Sequence, residues 1–550
     1  MTVGRLLAAL FALLAFAPLA QAKDDLTIGT TQYPSTLHPM FDSMLAKSVI
    51  LATARRPFTA FDPEWQEICM LCTQVPTLEN GLAKVEERDG KRGMAITFTL
   101  RQGVKWGDGK PVTSADVVFA WEVGKHPQSQ VTAAETYRRI LAIDVKDEHS
   151  FTVHIDRVVW NFSSYAPEPL PAHIEKPIFE ADPAQYRTRT KYDTDQGNPG
   201  LYYGPYRVVA ATPGASITLE TNPHWFGKAP HFKRLTFRAI ENTAALEANL
   251  LSGSIDYILG ELGLTLDQAL AFEKRNRDRF DVAYKPGLIY EHIDLNLENP
   301  LLADRRVRQA LLYGIDRNAI VAKLFEGKQP VAHGYISETR PEFDPTAPRY
   351  AYDRKKAAQL LDEAGFATIR DGYRHNAQGK RLSLELATTA GQRVRELVQQ
   401  VLQSQWKQLG IEVRLKAEPP RVFSANTLSK RGLEAMAMYA WISSPQSVPR
   451  SMLHSKEIPA ADNGWAGQNY PAYRNPEMDR IVEALETELD AAKRKLLWGE
   501  FQRLYATDLP VLPLFFRTDS FIVPKWLKGI EPTGHLYSTT LWIENWRDSR

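Results

Sequence analysis

Only two cysteines occur among the 550 residues, and so few exclude a fold stapled by a disulfide framework. They stand three apart in CMLC, as Cys69 and Cys72. One C-x-x-C pair without a second set of ligands makes a poor structural zinc site. In an oxidising compartment the same pair reads as a local disulfide, with free thiols as the alternative. An excess of one charge is also lacking: 67 Lys and Arg face 65 Asp and Glu, which leaves +2. That balance argues against nucleic acid as the partner, because phosphate binding needs a concentrated basic face. The densest basic run, KRNRDR at Lys274–Arg279, reads as a solvated helix end. Beyond the N-terminus no apolar run could span a bilayer, and VLPLFF at Val511–Phe516 is far too short. H-E-x-x-H, G-x-S-x-G and the phosphate-loop pattern are absent. The nearest approach, GVKWGDGKP at Gly103–Pro111, has a glycine spacing one residue too long and Pro111 where a magnesium-binding hydroxyl would stand. It reads as a turn. The 12 histidines are scattered, with His224 and His231 a notable pair in a loop-rich stretch, so neither a metal site nor a cofactor is implied.

What is present is the composition of a globular chain, with 44% hydrophobic and 24% charged residues, long enough for two or three domains. Residues 1–22 read as an export signal. Arg5 supplies the positive start, LLAALFALLAF the apolar middle, and Ala20-Gln21-Ala22 the small residues of a cleavage site. The mature chain would begin at Lys23 with a net charge of +1. No cysteine follows the cleavage site, so a lipid anchor is not indicated. Aromatic surface is plentiful, with 12 Trp and 21 Tyr, and such side chains suit recognition of amphipathic small ligands or peptides.

Periodicity gives an α/β organisation without internal repeats. DLTIGTTQ reads as a strand entering a polar loop, and AITFTL (Ala95–Leu100) and FTVHID (Phe151–Asp156) alternate like half-buried strands. Thr113, with Asp116 three residues on, predicts a capped helix start. Asp304 caps a helix that places Val307, Ala310, Leu311 and Ile315 on one face, and Asp353 opens another that stops at Gly365. VRELVQQVLQSQWKQLG followed by IEVRLKAEP reads as helix, glycine stop and strand, half of a β-α-β crossover. MAMYAWI, Met436–Ile442, is then a neighbouring strand whose polar loop lies at a strand end, where open α/β sheets bind ligands.

Several landmarks in order resemble one family. TFTLRQGVKWGDGKPVTSADVVFAWEV (Thr97–Val123), GPYRVVAATPGASITLETNPHWF (Gly204–Phe226), LLSGSIDY (Leu251–Tyr257), LNLENPLLADRRVRQALLYGIDRNAI (Leu295–Ile320), YDRKKAAQLLDEAGF (Tyr352–Phe366) and NYPAYRNPEMDRIV (Asn469–Val482) look like the family 5 extracellular solute-binding proteins, the periplasmic oligopeptide- and dipeptide-binding proteins of ABC importers. The resemblance covers essentially the whole mature chain. It implies an α/β, two-lobed, three-domain periplasmic binding protein fold with a hinge between the lobes. Lobe 1 would combine a discontinuous domain (24–57, 203–288 and 515–550) with an inserted domain (58–202), and lobe 2 would be 289–514. The crossings would lie near Gly287–Glu291 and Val511–Phe516. A monomer that hydrolyses nothing would close on its solute in the periplasm and dock on a membrane permease with its ATPase subunits.

The resemblance also implies site residues. Peptide-binding relatives place an aspartate shortly after the tryptophan matching Trp441, where it pairs with the ligand's α-ammonium group. Here the run continues Ile442-Ser443-Ser444-Pro445-Gln446, with no acid before Glu457. Desolvating an ammonium without a counter-charge costs several kcal/mol. Three ligands remain open: a peptide whose amine is blocked or held by another acid, a non-peptide solute such as an opine-like, glycosidic or metal-chelate molecule, or a polar head bonded by Ser443, Ser444 and Gln446. Trp441 either faces the ligand or packs the lobe. Arg421 and Arg450 are candidates for a fork on a ligand carboxylate. Gln32, Tyr33 and Pro34 match a ligand-facing loop on the other lobe, with Asn469 and Tyr470 as further candidates. An exported enzyme and a ligand-loaded adaptor for a membrane sensor are the alternatives to a transport receptor.

Overall fold

The computed structural model describes residues 23–88, 90–535 and 537–550. The export signal expected at residues 1–22 lies outside the described residues.

One ten-stranded sheet runs through the molecule. Its order is Glu412–Glu418, Ser383–Thr389, Met436–Ile442, Phe280–Leu295, Val511–Pro524, Tyr257–Ile258, Asp25–Thr30, Arg234–Ala239, Ser216–Thr221 and Tyr206–Thr212. The two central strands are long, 16 residues for Phe280–Leu295 and 14 for Val511–Pro524, and they pair antiparallel. Each serves both lobes, because the strands of lobe 2 lie on one side of the pair and those of lobe 1 on the other. The crossings expected near Gly287–Glu291 and Val511–Phe516 fall on these two strands. Their register slips between Pro286 and Tyr290 and again between Glu291 and His292. A bulge loosens the ladder and bends the strand locally, so the ladder is irregular where the lobes meet.

Each lobe has its own core. In lobe 2, Val307, Ala310 and Leu311 of one helix, with Ile315 just past its end instead of on its face, are fully or almost fully buried with Leu384, Leu402 and Trp406. The helix Arg305–Tyr313 starts at Asp304, whose carboxylate accepts from the Arg306 N–H. The β-α-β half-unit forms as its pattern requires. Ser383–Thr389 runs parallel to Glu412–Glu418, and the helix Arg393–Lys407 joins them. Gly410 turns the chain at φ +77°, a left-handed conformation that favours glycine. Lobe 1 buries Leu26, Ile28, Tyr206, Leu219, Leu235 and Trp546. Residues 83–155 contribute a separate four-stranded antiparallel sheet with a core of Ile96, Phe98, Trp106, Phe151 and Val153. In this layer Thr113 and Asp116 form the expected capping box. The Asp116 carboxylate also accepts from Trp106 Nε1 and from the Ala172 N–H, tying the helix to two loops. Cys69 and Cys72 form a disulfide.

Candidate functional site

The strand Met436–Ile442 brings its apolar run to the junction of the lobes. One edge pairs along its whole length with Ile289–Leu295. The other meets Ser383–Thr389 only at Met436 and Ala437. The Met438 carbonyl accepts from Thr388 Oγ1 at 2.7 Å, so Met438 directs its polar backbone atoms away from the crossing strand. Strand alternation then points the N–H and C=O of Ala440 and Ile442 the same way. Among the described residues no strand pairs with that edge beyond Ala437. Ile442 is 64% exposed, which marks where the strand leaves the core. An unpaired edge of this kind is a template for a further extended segment.

The turn after the strand is self-satisfied. Ser443 is buried and its N–H donates to the Leu288 carbonyl. The Ser444 N–H donates to Ser447 Oγ at 2.5 Å, and the two hydroxyls lie 2.9 Å apart. Trp441 is half-buried and stacks on Tyr470, with ring centres 6.2 Å apart and planes 18° apart.

Two cavities lie between the lobes. The larger, of about 740 Å³, is lined by Arg92, Arg139, Arg157, Trp160 and Tyr165 from the inserted domain and by Gln446, Arg450 and Glu486 from lobe 2. The Trp160 N–H donates to the Glu486 carbonyl at 3.2 Å, which pins the inserted domain against lobe 2 beside it. The second, of about 470 Å³, reaches from Thr31, Gln32 and Glu261 of lobe 1 past Glu291, Arg517 and Asp519 of the crossing strands to Gln329, Arg395 and Met438 of lobe 2.

Charge in this second cavity is unevenly matched. The Glu291 side chain is 3% exposed and lies between Arg517 and Arg395. Its Oε1 accepts from Arg517 Nε at 2.8 Å and from Arg395 Nη2 at 3.1 Å. Burial alone would raise its pKa, but the two guanidinium groups outweigh that and hold the carboxyl below the usual range. Asp519 has no hydrogen-bond or ion-pair partner of this kind among the described residues. Burial, reinforced by the nearby charge of Glu261 and only partly opposed by Arg517, lifts its carboxyl to about 7. Glu261 is raised by burial too, although its Oε1 accepts from the Thr539 N–H at 2.8 Å.

The expected residues divide on these observations. Gln446 and Arg450 share the larger cavity and Gln32 lines the second. Tyr33 packs half-buried against the lobe 1 core and Pro34 is buried. Four candidates are corrected. Asn469 is fully buried, with its amide spent on the His454 and Tyr473 carbonyls and the Tyr473 N–H, so it shapes the loop and does not face a ligand. Arg450 already pairs with Glu457 and Glu486 and lies 4.0 Å from Glu483, which leaves no open fork for a carboxylate. Arg421 is exposed on the short helix Pro420–Val422 and lines neither cavity. Tyr470 is 8% exposed and belongs to the apolar cluster around Tyr439, so its ring supports Trp441. Glu261, Glu291, Gln329, Arg395, Arg517 and Asp519 were missed, since they come from five separate segments. The one available signal was RTDS, a polar break in the apolar strand VLPLFFRTDSFIVP.

Comparison with known proteins agrees with this architecture. The family model for bacterial extracellular solute-binding proteins, family 5, matches residues 77–459. The chain is 27% identical over 476 residues to the oligopeptide-binding protein AppA of Bacillus subtilis, covering 83% of this chain and 82% of that one. It is 24% identical to the periplasmic oligopeptide-binding protein OppA of Escherichia coli, covering 83% of each. Among solved structures, an oligopeptide-binding protein from Thermus thermophilus complexed with a pentapeptide shares 30% identity and a TM-score of 0.71, with 96% of both chains covered. A two-lobed molecule with an unpaired strand edge and two cavities at its junction, matched by the family model over most of its length, belongs to the bacterial extracellular solute-binding proteins of family 5.

Proposed function

We propose that this protein is an exported receptor that captures a peptide between its lobes and delivers it to an ABC importer. The free outer edge of Ala440 and Ile442 carries the reading. An extended ligand laid along it completes two backbone donors and two acceptors, whatever its side chains are. Contacts made to both lobes at once exist in full only when the lobes close, so ligand binding shifts the population toward the closed form. The irregular ladder at Gly287–Ile289 is where the chain can absorb that motion. The relatives named for oligopeptides support the substrate class. On this reading the closed monomer docks on a membrane permease whose ATPase subunits supply the work, and the chain itself performs no chemistry. Export follows from the signal at residues 1–22, which is removed.

The test is native mass spectrometry of the mature protein before and after incubation with an equimolar random pool of tri- to hexapeptides. Retention of peptides at one per protein is expected. If the purified protein holds a non-peptide solute and peptides neither displace it nor bind, the peptide reading is wrong.

A further inference from the structure

Several buried polar atoms around the cavity beside the crossing strands have no hydrogen-bond partner within the described residues. Glu261 Oε2, Gln329 Oε1 and Ser520 Oγ are all buried without a hydrogen-bond partner, and all three residues line it. Gln329 and Ser520 are only 7% and 3% exposed, so neither atom is left to bulk water. A buried polar atom with no partner is costly, and three around one space, two of them carbonyl or carboxylate oxygens that only accept, point to a polar group that arrives from outside. Asp519 adds a carboxylate with no ion-pair partner among the described residues.

The charges facing Asp519 come from every side of the cavity. Arg517 on its own strand and Arg395 on the helix Arg393–Lys407 are both taken by Glu291 on the adjacent strand. Lys285 is its register partner, but its side chain lies against the turn at Gly534. Glu261 adds negative charge from the short helix Gly260–Leu262, and the carboxylate of Asp267 is engaged by Thr265 Oγ1. Gly260 lets that helix approach: a Cβ there would fall 2.2 Å from the Phe521 ring.

We infer that this cavity is a subsite for a cationic group of the ligand, a primary ammonium or a guanidinium, held by Asp519 and Glu261 from lobe 1 and by Gln329 from lobe 2. The inference rests on the peptide-receptor reading and deepens it. It supplies, from another part of the cleft, the counter-charge that Ile442–Gln446 lacks. A three-donor ammonium or a forked guanidinium fills several acceptors at once. Because its acceptors belong to both lobes, the cation favours closure.

The experiment presents mature protein with an equimolar random tetrapeptide pool and, separately, its N-acetylated counterpart, and identifies the retained peptides by mass spectrometry. The wild-type protein should enrich peptides with a free amine or a Lys or Arg side chain. Asp519→Asn and Glu261→Gln should each lower that enrichment about ten- to a hundredfold, as expected for a charged hydrogen bond, while uncharged peptides stay bound. Enrichment lost on acetylation assigns the subsite to the N-terminal ammonium, and enrichment that follows only Lys and Arg assigns it to a side chain. Retention without cation preference, or a preference unchanged in both variants, overturns the subsite and leaves the receptor reading standing. If no peptide is retained, the receptor reading falls and titration with L-argininamide decides the subsite: binding weakened in Asp519→Asn upholds it, and absent or unweakened binding overturns it.

Discussion

Asp519→Asn should make the empty protein more stable, and only above a defined pH. The substitution keeps the shape of the side chain and removes its ability to ionise. In the unfolded chain an aspartate titrates near 3.9, whereas burial in the folded protein lifts Asp519 to about 7. A carboxyl raised on folding contributes its full share of stability below the unfolded value and loses it as pH rises through the folded one. Across that window the native state of the wild type loses up to about 4 kcal/mol, at 1.36 kcal/mol per pKa unit. Solvent reaching the interlobe space lowers the figure. Urea titrations of both proteins between pH 4 and 8.5 measure it. The gap should be under about 1 kcal/mol at pH 4, widen in favour of the variant toward pH 7, and level off above. A gap independent of pH, or one that favours the wild type at pH 8, would refute the placement of an unpaired carboxylate beside Glu261.

Glu291 should behave in the opposite sense. Its carboxyl is held low by Arg517 and Arg395, so its contribution is present above the ordinary carboxylate range and lost as pH falls. Glu291→Gln should cost about 3–5 kcal/mol at pH 7, the usual effect of removing one partner from a buried pair, and urea unfolding reads it. Ser444→Asp restores an acid to the turn after the cleft strand and should shift binding toward peptides with a free amine; equal affinities for acetylated and free peptides in the variant would remove Ser444 from the site. N-methylation of a bound peptide at each position in turn should weaken binding about three- to tenfold at the positions facing Ala440 and Ile442, the net worth of one hydrogen bond, and calorimetry should show alternation along the ligand. Reducing the Cys69–Cys72 disulfide should cost no more than about 2 kcal/mol because the loop it closes is so short, and thermal midpoints with and without reductant test this.

Local patterning was the legible part of this molecule. The strand at Asp25–Thr30, the capped helix after Thr113, the helices after Asp304 and Asp353 and the helix, glycine stop and strand from Val394 to Glu418 were each readable, because caps, glycine stops and apolar periods act over a few residues. The polar turn after Trp441 was readable for the same reason, whereas its missing acid stood out only against the family resemblance. The resemblance of ordered landmarks then carried the fold class. Asn469 shows the limit. Its neighbours gave no sign that three backbone groups from two segments would claim its amide. Arg450 likewise looked free until the fold set Glu457 and Glu486 around it.

By itself, then, the sequence determined an α/β chain of the solute-binding kind and the strand that reaches its cleft. Only the tertiary structure decided which charges meet there. Glu261, Glu291, Gln329, Arg395 and Asp519 are separated by tens to hundreds of residues, and no periodicity links them. The pairing of two long strands and the approach of the short helix at Gly260 bring them to one cavity, where Glu291 finds two partners and Asp519 finds none among the described residues. Electrostatic outcome depends on distance and burial, and both are properties of the folded chain.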